Sequence, residues 1–154
     1  MKLAEALLER ADLQKRMQQM SGRLRANARV QEGEKPSEDP KALLKELNAM
    51  TARMEALIAD INLTNSAAQA DGEPLTLLLS RRDAMRQQIQ ILREFLDTAS
   101  SLTDRARQSE IKIISTVNVA ALQKELDQKS KALRELDGKI QAANWSVDLI
   151  ERKP

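Results

Sequence analysis

The apolar residues of this sequence recur at alternating steps of three and four positions over long stretches. One such stripe comprises Leu43, Leu47, Met50, Met54, Leu57 and Ile61. A second comprises Val119, Leu122, Leu126, Lys129, Leu133, Leu136, Ile140 and Ala143. This spacing keeps one side of a helix against a neighbouring helix, as in coiled coils and antiparallel bundles. The pattern therefore predicts long, paired helices.

The composition favours helices over sheet. Hydrophobic residues make up 42% of the 154 positions but aromatic residues only 1%, so Leu, Ile, Met, Val and Ala must build the core. The strands of sandwiches and barrels prefer aromatic and β-branched residues. We therefore expect an all-α protein whose four long helices form antiparallel hairpins in a coiled-coil-like bundle, as one helical domain over residues 1–154.

Capping and turn residues predict where the helices begin and end. Asp39 followed by Pro40 is typical of a helix start, because the carboxylate accepts from free amides and proline has no N–H to leave unpaired. Thr76 and Asn118 are the expected caps of the last two helices. The expected helices cover about 3–29, 40–64, 77–104 and 119–143, with loops at 30–39 and 65–76.

Two short segments are expected to be extended. Residues of about 109–117 are rich in β-branched side chains that alternate with polar ones, which favours a strand or straight connector before the last helix. A similar alternation from Trp145 to Ile150 indicates a short extended tail, although the helix could also continue there. Pairing of the two segments between antiparallel copies of the chain would cover an exposed strand edge.

The side chains that most enzymes use are missing. The sequence has no Cys and no His, which excludes thiol nucleophiles, imidazole bases and zinc sites with nitrogen or sulfur ligands. It has only four Gly residues and no phosphate-binding glycine loop. We therefore predict no enzyme activity, no catalytic residue, no cofactor and no metal site.

The sequence also indicates where the protein resides. The first eight residues lack the apolar core of a secretory signal. No stretch approaches the roughly 20 apolar residues that a membrane-spanning helix needs. A cytoplasmic location is the expectation.

A polar ligand site is one hypothesis for the end of the bundle. Helices that alternate in direction would bring amides, paired charges and one indole together at that end, where they could bind an anionic or polar ligand. The alternative is that these residues only cap helices and form surface ion pairs. The residues concerned are Arg10, Asp12, Asn62, Asn65, Arg81, Arg82, Asp83, Asn144 and Trp145.

Self-association is the expected partnership. Thin helical hairpins expose much apolar surface, and a second copy of the chain can cover it, so we expect a homo-oligomer, with other protein partners also allowed. Arg23, Arg25 and Arg29 lie close together, but the absence of interleaved aromatic residues argues against nucleic acid. Membrane binding has weak support, because the apolar stripes are narrow enough to be covered by each other.

Several short strings resemble a family of short bacterial proteins known as septicolysin-like and otherwise of unknown function. The strings are MKLAEAL at 1–7, RADLQKR at 10–16, NARVQEG at 27–33, RRD at 81–83, EIK at 110–112, STVNV at 115–119, LQK at 122–124 and NW at 144–145. The resemblance implies a helical fold, and the family's name implies a haemolytic activity.

The leading functional hypothesis is a cytoplasmic structural or interaction protein that works through helix surfaces in an oligomer. A membrane-active protein, as the resemblance implies, is the first alternative. Binding of a small polar or anionic ligand at the polar end is the second.

Overall fold

The computed structural model describes residues 1–102 and 112–152. Its elements are α1 (Leu3–Ala26), α2 (Pro40–Ala67), β1 (Gln69–Ala70), β2 (Glu73–Pro74), α3 (Leu75–Ser100) and α4 (Val119–Ser146). The expected all-α class is confirmed, since the only sheet in the described residues is the hairpin of β1 and β2, whose strands have two residues each. The chain divides into two compact units, one formed by Met1–Gln69 with the chain from Ala143 onward and one formed by Ala70–Ala142. The expectation of one helical domain over 1–154 stays a prediction.

The predicted apolar stripes are the buried sides of the helices. In α2, Leu43, Met50, Leu57 and Ile61 are buried. In α4, the buried members are Leu126, Leu136, Ile140 and Ala143, and Lys129 is partly exposed with its Nζ 3.6 Å from Glu125. The three-and-four spacing therefore identified the packing sides of these helices from the sequence.

In the first unit, α1 and α2 run antiparallel. Glu9 binds Arg53, and Arg16 lies 3.7 Å from Glu46, so later residues of α1 face earlier residues of α2. Between the helices lie apolar residues of both, among them Leu13, Met20, Met50 and Leu57. As predicted, Pro40 begins α2 and the Asp39 carboxylate accepts from the Lys41 N–H, at 3.1 Å.

Asn27 fixes the connection between α1 and α2. The residue is only 7% exposed, and its side chain donates to the Arg23 carbonyl at 2.9 Å and accepts from the Glu38 N–H at 3.0 Å. Gly33 in this loop has a φ of 87°, a left-handed conformation that glycine adopts without a Cβ clash. The loop therefore returns to the end of α1 before α2 begins.

The chain's last residues pair with its first. Lys2 and Asp148 form an antiparallel bridge, in which the Leu3 N–H donates to the Val147 carbonyl and the Leu149 N–H donates to the Met1 carbonyl. The expected extended tail is thus present after Ser146. Its partner is the segment Met1–Leu3 of the same chain. The expected pairing with 109–117 in another copy stays a prediction.

In the second unit, α3 and α4 also run antiparallel. Ile89 and Leu96 pack with Leu126, and Arg86 lies 3.3 Å from Asp137 further along α4. Asn118 caps α4 as predicted, because its Oδ1 accepts from the Ala121 N–H at 3.0 Å. The expectation that Thr76 caps α3 is wrong, since the helix begins one residue earlier at Leu75.

The segment between α3 and α4 is described only in part. Residues 112–118 form neither helix nor strand. Helix α3 ends at Ser100, and Ser101 and Leu102 after it are not helical. The expected end at 104 and the first part of the extended segment, 109–111, lie outside the described residues.

Candidate interaction surfaces

The first unit contains six of the nine residues predicted for the polar end. Asp12 and Asn62 are exposed, Arg10 and Asn65 are partly buried, Asn144 is buried, and Trp145 is 56% exposed. No hydrogen bond or ion pair among the described residues joins any two of these six. The nearest polar contact of Asp12 is its own helix neighbour Arg16, at 4.0 Å.

The other three predicted residues lie at the start of α3 in the second unit. Arg82 pairs with its neighbour Asp83 at 2.9 Å. Arg81 donates two hydrogen bonds of 2.9 Å to the carboxylate of Glu73 in β2, which lowers the pKa of Glu73. These three residues therefore make local contacts, and a single ligand site built from all nine stays a prediction.

A turn of the hairpin brings a second acid to the same part of the second unit. Asp71 and Gly72 have φ values of 52° and 82°, as a tight hairpin turn requires. The Asp71 carboxylate binds Lys139 of α4 at 2.9 Å, and this contact raises the pKa of Lys139. The hairpin is thus tied to α4 through Asp71 and to α3 through Glu73.

An open groove runs along one side of the α1–α2 hairpin. It has a volume of about 690 Å³ and is lined on α1 by Arg10, Gln14, Met17 and Gln18, and on α2 by Met54 and Ile58. Met17 and Met54 are partly buried, while the Ile58 side chain is 42% exposed. The groove therefore has an apolar floor and a polar edge, and we name it the Met17–Met54 groove.

The polar residues at the edge of this groove have no partners within residues 1–102 and 112–152. Arg10, Gln14 and Gln18 make no hydrogen bond or ion pair with the described part of the chain. The acids beside Arg10 in sequence are engaged elsewhere: Glu9 accepts two hydrogen bonds of 2.6 and 2.7 Å from Arg53, and Asp12 lies against Arg16. The Arg53 contact holds the pKa of Glu9 below its usual value. Arg10 is thus an available cation beside apolar surface.

One side of helix α3 carries exposed apolar residues. Leu77, Ile91 and Phe95 are 48%, 64% and 46% exposed, and Leu102, just after the helix, is 46% exposed. With Arg81, Ala84, Gln88 and Thr98 these residues again follow steps of three and four. We name this set the outer stripe of α3. The sequence analysis missed it because it followed only the stripes of the second and fourth helices; the spacing from Leu77 to Leu102 is the signal that could have revealed it.

Two features are absent from residues 1–102 and 112–152. That part of the chain holds no cluster of three or more acidic residues suited to a metal ion. None of its helices combines the length and apolar character needed to cross a bilayer.

These observations define an all-α protein of antiparallel helical hairpins with exposed helix surfaces. The model of a family of unknown function (DUF6847) matches residues 10–149, and the chain belongs to this family. A functionally unknown conserved protein from Corynebacterium diphtheriae, for which there is a crystal structure, shares 37% sequence identity with this chain. It superposes with a TM-score of 0.92, and the match covers 97% of this chain and 99% of that one. No curated protein matches the sequence.

The septicolysin-like resemblance is therefore wrong. The family match and the similar crystal structure both lead to proteins of unknown function, and neither points to a septicolysin. The strings that suggested the resemblance are short and mostly made of Ala, Leu, Glu, Gln, Lys and Arg. These residues recur in unrelated helices because they favour helix formation. The haemolytic activity that the resemblance implied loses its basis.

Proposed function

We propose that this protein is a non-enzymatic interaction protein that associates with a second copy of itself through the outer stripe of α3. The observation that carries the proposal is the exposure of Ile91 and Phe95, at 64% and 46%. They stand one turn apart on a helix whose other side is already packed on α4. Contiguous exposed apolar patches on soluble proteins mark interaction surfaces.

The pattern of the outer stripe suits a second copy in the antiparallel direction. An isologous contact requires a surface that matches itself after a twofold rotation. If Gln88 of one copy faces Ile91 of the other, Ala84 faces Phe95 and Arg81 faces Thr98. The small Ala84 then leaves room for the large Phe95 ring, which is how helix interfaces fill space.

The residues beside the stripe agree with this pairing. In the same arrangement Gln87 of one copy lies beside Glu94 of the other, an amide that can donate to a carboxylate. A shift that centred the contact between Ile91 and Phe95 would bring the two Glu94 carboxylates together, and like charges at such a position are unfavourable. Gln88 and Arg81 within the stripe would limit affinity and favour one register, as polar residues in helix interfaces do.

The chemistry of the chain supports binding over catalysis. A chain without Cys or His offers few groups for nucleophilic or acid–base work near neutral pH. Glu9, the neighbour of Arg10 in sequence, and Glu73, which binds Arg81, have lowered pKa values because arginines bind them. We place this activity in the cytoplasm, as the sequence suggested.

Sedimentation equilibrium tests the proposal. We expect the native protein to have the mass of two chains at tens of micromolar, and Ile91→Glu and Phe95→Glu to have the mass of one. Gln128→Glu, which adds the same charge at an exposed site of α4, should stay dimeric. Circular dichroism should give the same helical signal for all four proteins. A monomeric native protein, or dimers that survive both outer-stripe substitutions, would contradict the proposal.

A further inference from the structure

We infer that the Met17–Met54 groove binds an amphipathic helix of a partner protein, with an acidic side chain of that helix against Arg10. This surface lies on α1 and α2 in the first unit, and the proposed self-association uses α3 in the second. The inference therefore stands independently of the proposed function.

The charge of the groove argues for an acidic partner. The two arginines of α1 that face α2 or the loop before it are paired, Arg16 with Glu46 and Arg23 with Glu38 at 2.6 Å, and Arg53 of α2 is paired with Glu9 of α1. Arg10 is on the same helix, yet no acid of the described chain reaches it. A carboxylate brought by a partner would form the hydrogen-bonded ion pair that the guanidinium is shaped to make.

The spacing of the polar residues argues for a helical occupant. Arg10, Gln14 and Gln18 are four residues apart, so they form a row on α1 about 12 Å long. A helix lying beside α1 presents side chains at the same repeat, so each polar group can meet one residue of the partner. The two Gln amides can donate or accept, which suits polar side chains that flank an apolar stripe.

The floor of the groove suits apolar helix residues. Met17, Met54 and Ile58 lie between the two helices, where a third helix would place its apolar side chains. Methionine side chains are flexible and polarisable, so they adapt to the shape of an incoming Leu or Ile. A helix in this groove would complete a three-helix arrangement and cover Ile58.

The openness of the groove argues against a small molecule as the occupant. Small-ligand sites enclose about 70–90% of the ligand surface. The Met17–Met54 groove is bounded by two helices and is open to solvent along its length, so a small amphiphile would keep much of its surface in water. A helix supplies its own third wall and needs no enclosure.

The test starts from a displayed library of amphipathic helices that share one apolar stripe and carry random residues beside it. Selection on the native protein should enrich Asp or Glu at one flanking position. Selection on Arg10→Glu should enrich Lys or Arg at that same position. Arg25→Glu, which reverses another unpaired arginine of α1 outside the groove, should select the native acidic pattern. Selection without any acidic preference on the native protein would overturn the inference.

Methyl NMR of methionine locates the binding site of a selected peptide. The methyl signals of Met17 and Met54 should shift on addition of the acidic peptide. Those of Met20 and Met50, which are 1% and 4% exposed, and of Met85 in the second unit serve as internal controls. Shifts confined to the controls would overturn the inference. Shifts of Met17 and Met54 produced by dodecanoate alone would also overturn it, because they assign the groove to a small amphiphile. Shifts produced by raising the protein concentration alone would overturn it too, because they assign the groove to a second copy.

Discussion

The hydroxyl of Thr64 accepts a hydrogen bond of 2.8 Å from the backbone N–H of Ile150, 86 residues further along the chain. The same hydroxyl donates to the Asp60 carbonyl at 2.7 Å, and Thr64 has no exposed surface. Asp60 itself accepts from Arg152, at 3.1 Å from its side chain. One turn of α2 thus holds the C-terminal tail through side chains of two residues.

Thr64→Val should destabilise the protein. Valine keeps the shape of threonine but leaves the Ile150 N–H without its acceptor, and such a loss costs about 1–2 kcal/mol. Urea unfolding followed by circular dichroism measures the change, and hydrogen exchange at the Ile150 amide should become faster.

Thr51→Val is the matched control for this prediction. Thr51 makes the same bond to the carbonyl four residues earlier, at 2.9 Å, but is exposed and accepts no bond from another segment. Its substitution should change stability by less than about 0.5 kcal/mol. Equal effects of the two substitutions would show that the bond to Ile150 contributes nothing.

The contrast between α2 and this tail indicates what sequence reasoning can reach. The packing side of α2 follows from local spacing, because the helix repeat alone determines which residues share a side. The contact of Thr64 with Ile150 depends on a backbone N–H brought from the far end of the chain, and a backbone N–H has no residue identity to read. The bridge of Lys2 with Asp148 was hidden for the same reason, although the extended character of the tail was visible in its alternation.

Gly72→Ala and Gly138→Ala should have opposite effects on stability. Gly72 has a φ of 82°, where a Cβ costs about 1–2 kcal/mol, and no atom within 4 Å would add to that cost. Gly138 lies within α4, and a Cβ there also meets nothing within 4 Å, so alanine should stabilise by up to about 1 kcal/mol through its helix propensity. Thermal unfolding of both variants measures the difference. Destabilisation by Gly138→Ala would contradict the helical environment described for it.

Stability should fall in acid, and Glu9 should contribute to the fall. The bonds from Arg53 hold the pKa of Glu9 below its usual value, whereas in the unfolded chain it returns to about 4.3. The unfolded state therefore binds the proton more readily, so this contribution is complete at neutral pH. It is lost as the pH drops below about 5 toward the folded-state pKa.

Comparison of the native protein with Glu9→Gln isolates this effect. Free energies of unfolding measured from pH 7 to pH 3 should decline less in the variant, because glutamine does not titrate. Glu55→Gln is the matched control, since Glu55 is an exposed acid of α2 that forms no ion pair with the described residues. If the native protein and Glu9→Gln decline in parallel, the contact with Arg53 has no part in the acid response.

The candidate surfaces were only partly accessible to sequence reasoning. Arg10 was identified as polar, but its importance lies in having no partner in the described part of the chain, and that depends on Glu9 reaching Arg53 on another helix. Met54 was identified as an apolar stripe residue, whereas the groove between Met54 and Met17 depends on how α1 and α2 are offset. The outer stripe of α3 was within reach, because Leu77, Ile91 and Phe95 keep the helical spacing; only their exposure needed the structure.

The direction of the proposed α3 contact can be measured with spin labels, because the chain has no native Cys. In the antiparallel register with Gln88 facing Ile91, residue 76 of one copy lies about 40 Å along the axis from residue 76 of the other, at 1.5 Å per residue. Residue 90 lies close to the twofold axis, where only the width of two helices, about 20–24 Å, separates the labels. Labelled Thr76→Cys should therefore give a long distance and labelled Gln90→Cys a short one in pulsed electron–electron double resonance.

Both positions are exposed and lie outside the outer stripe, so the labels should leave the contact intact. Two short distances would indicate a parallel pair and contradict the register while leaving self-association in place. The absence of any dipolar signal at both positions would contradict self-association itself.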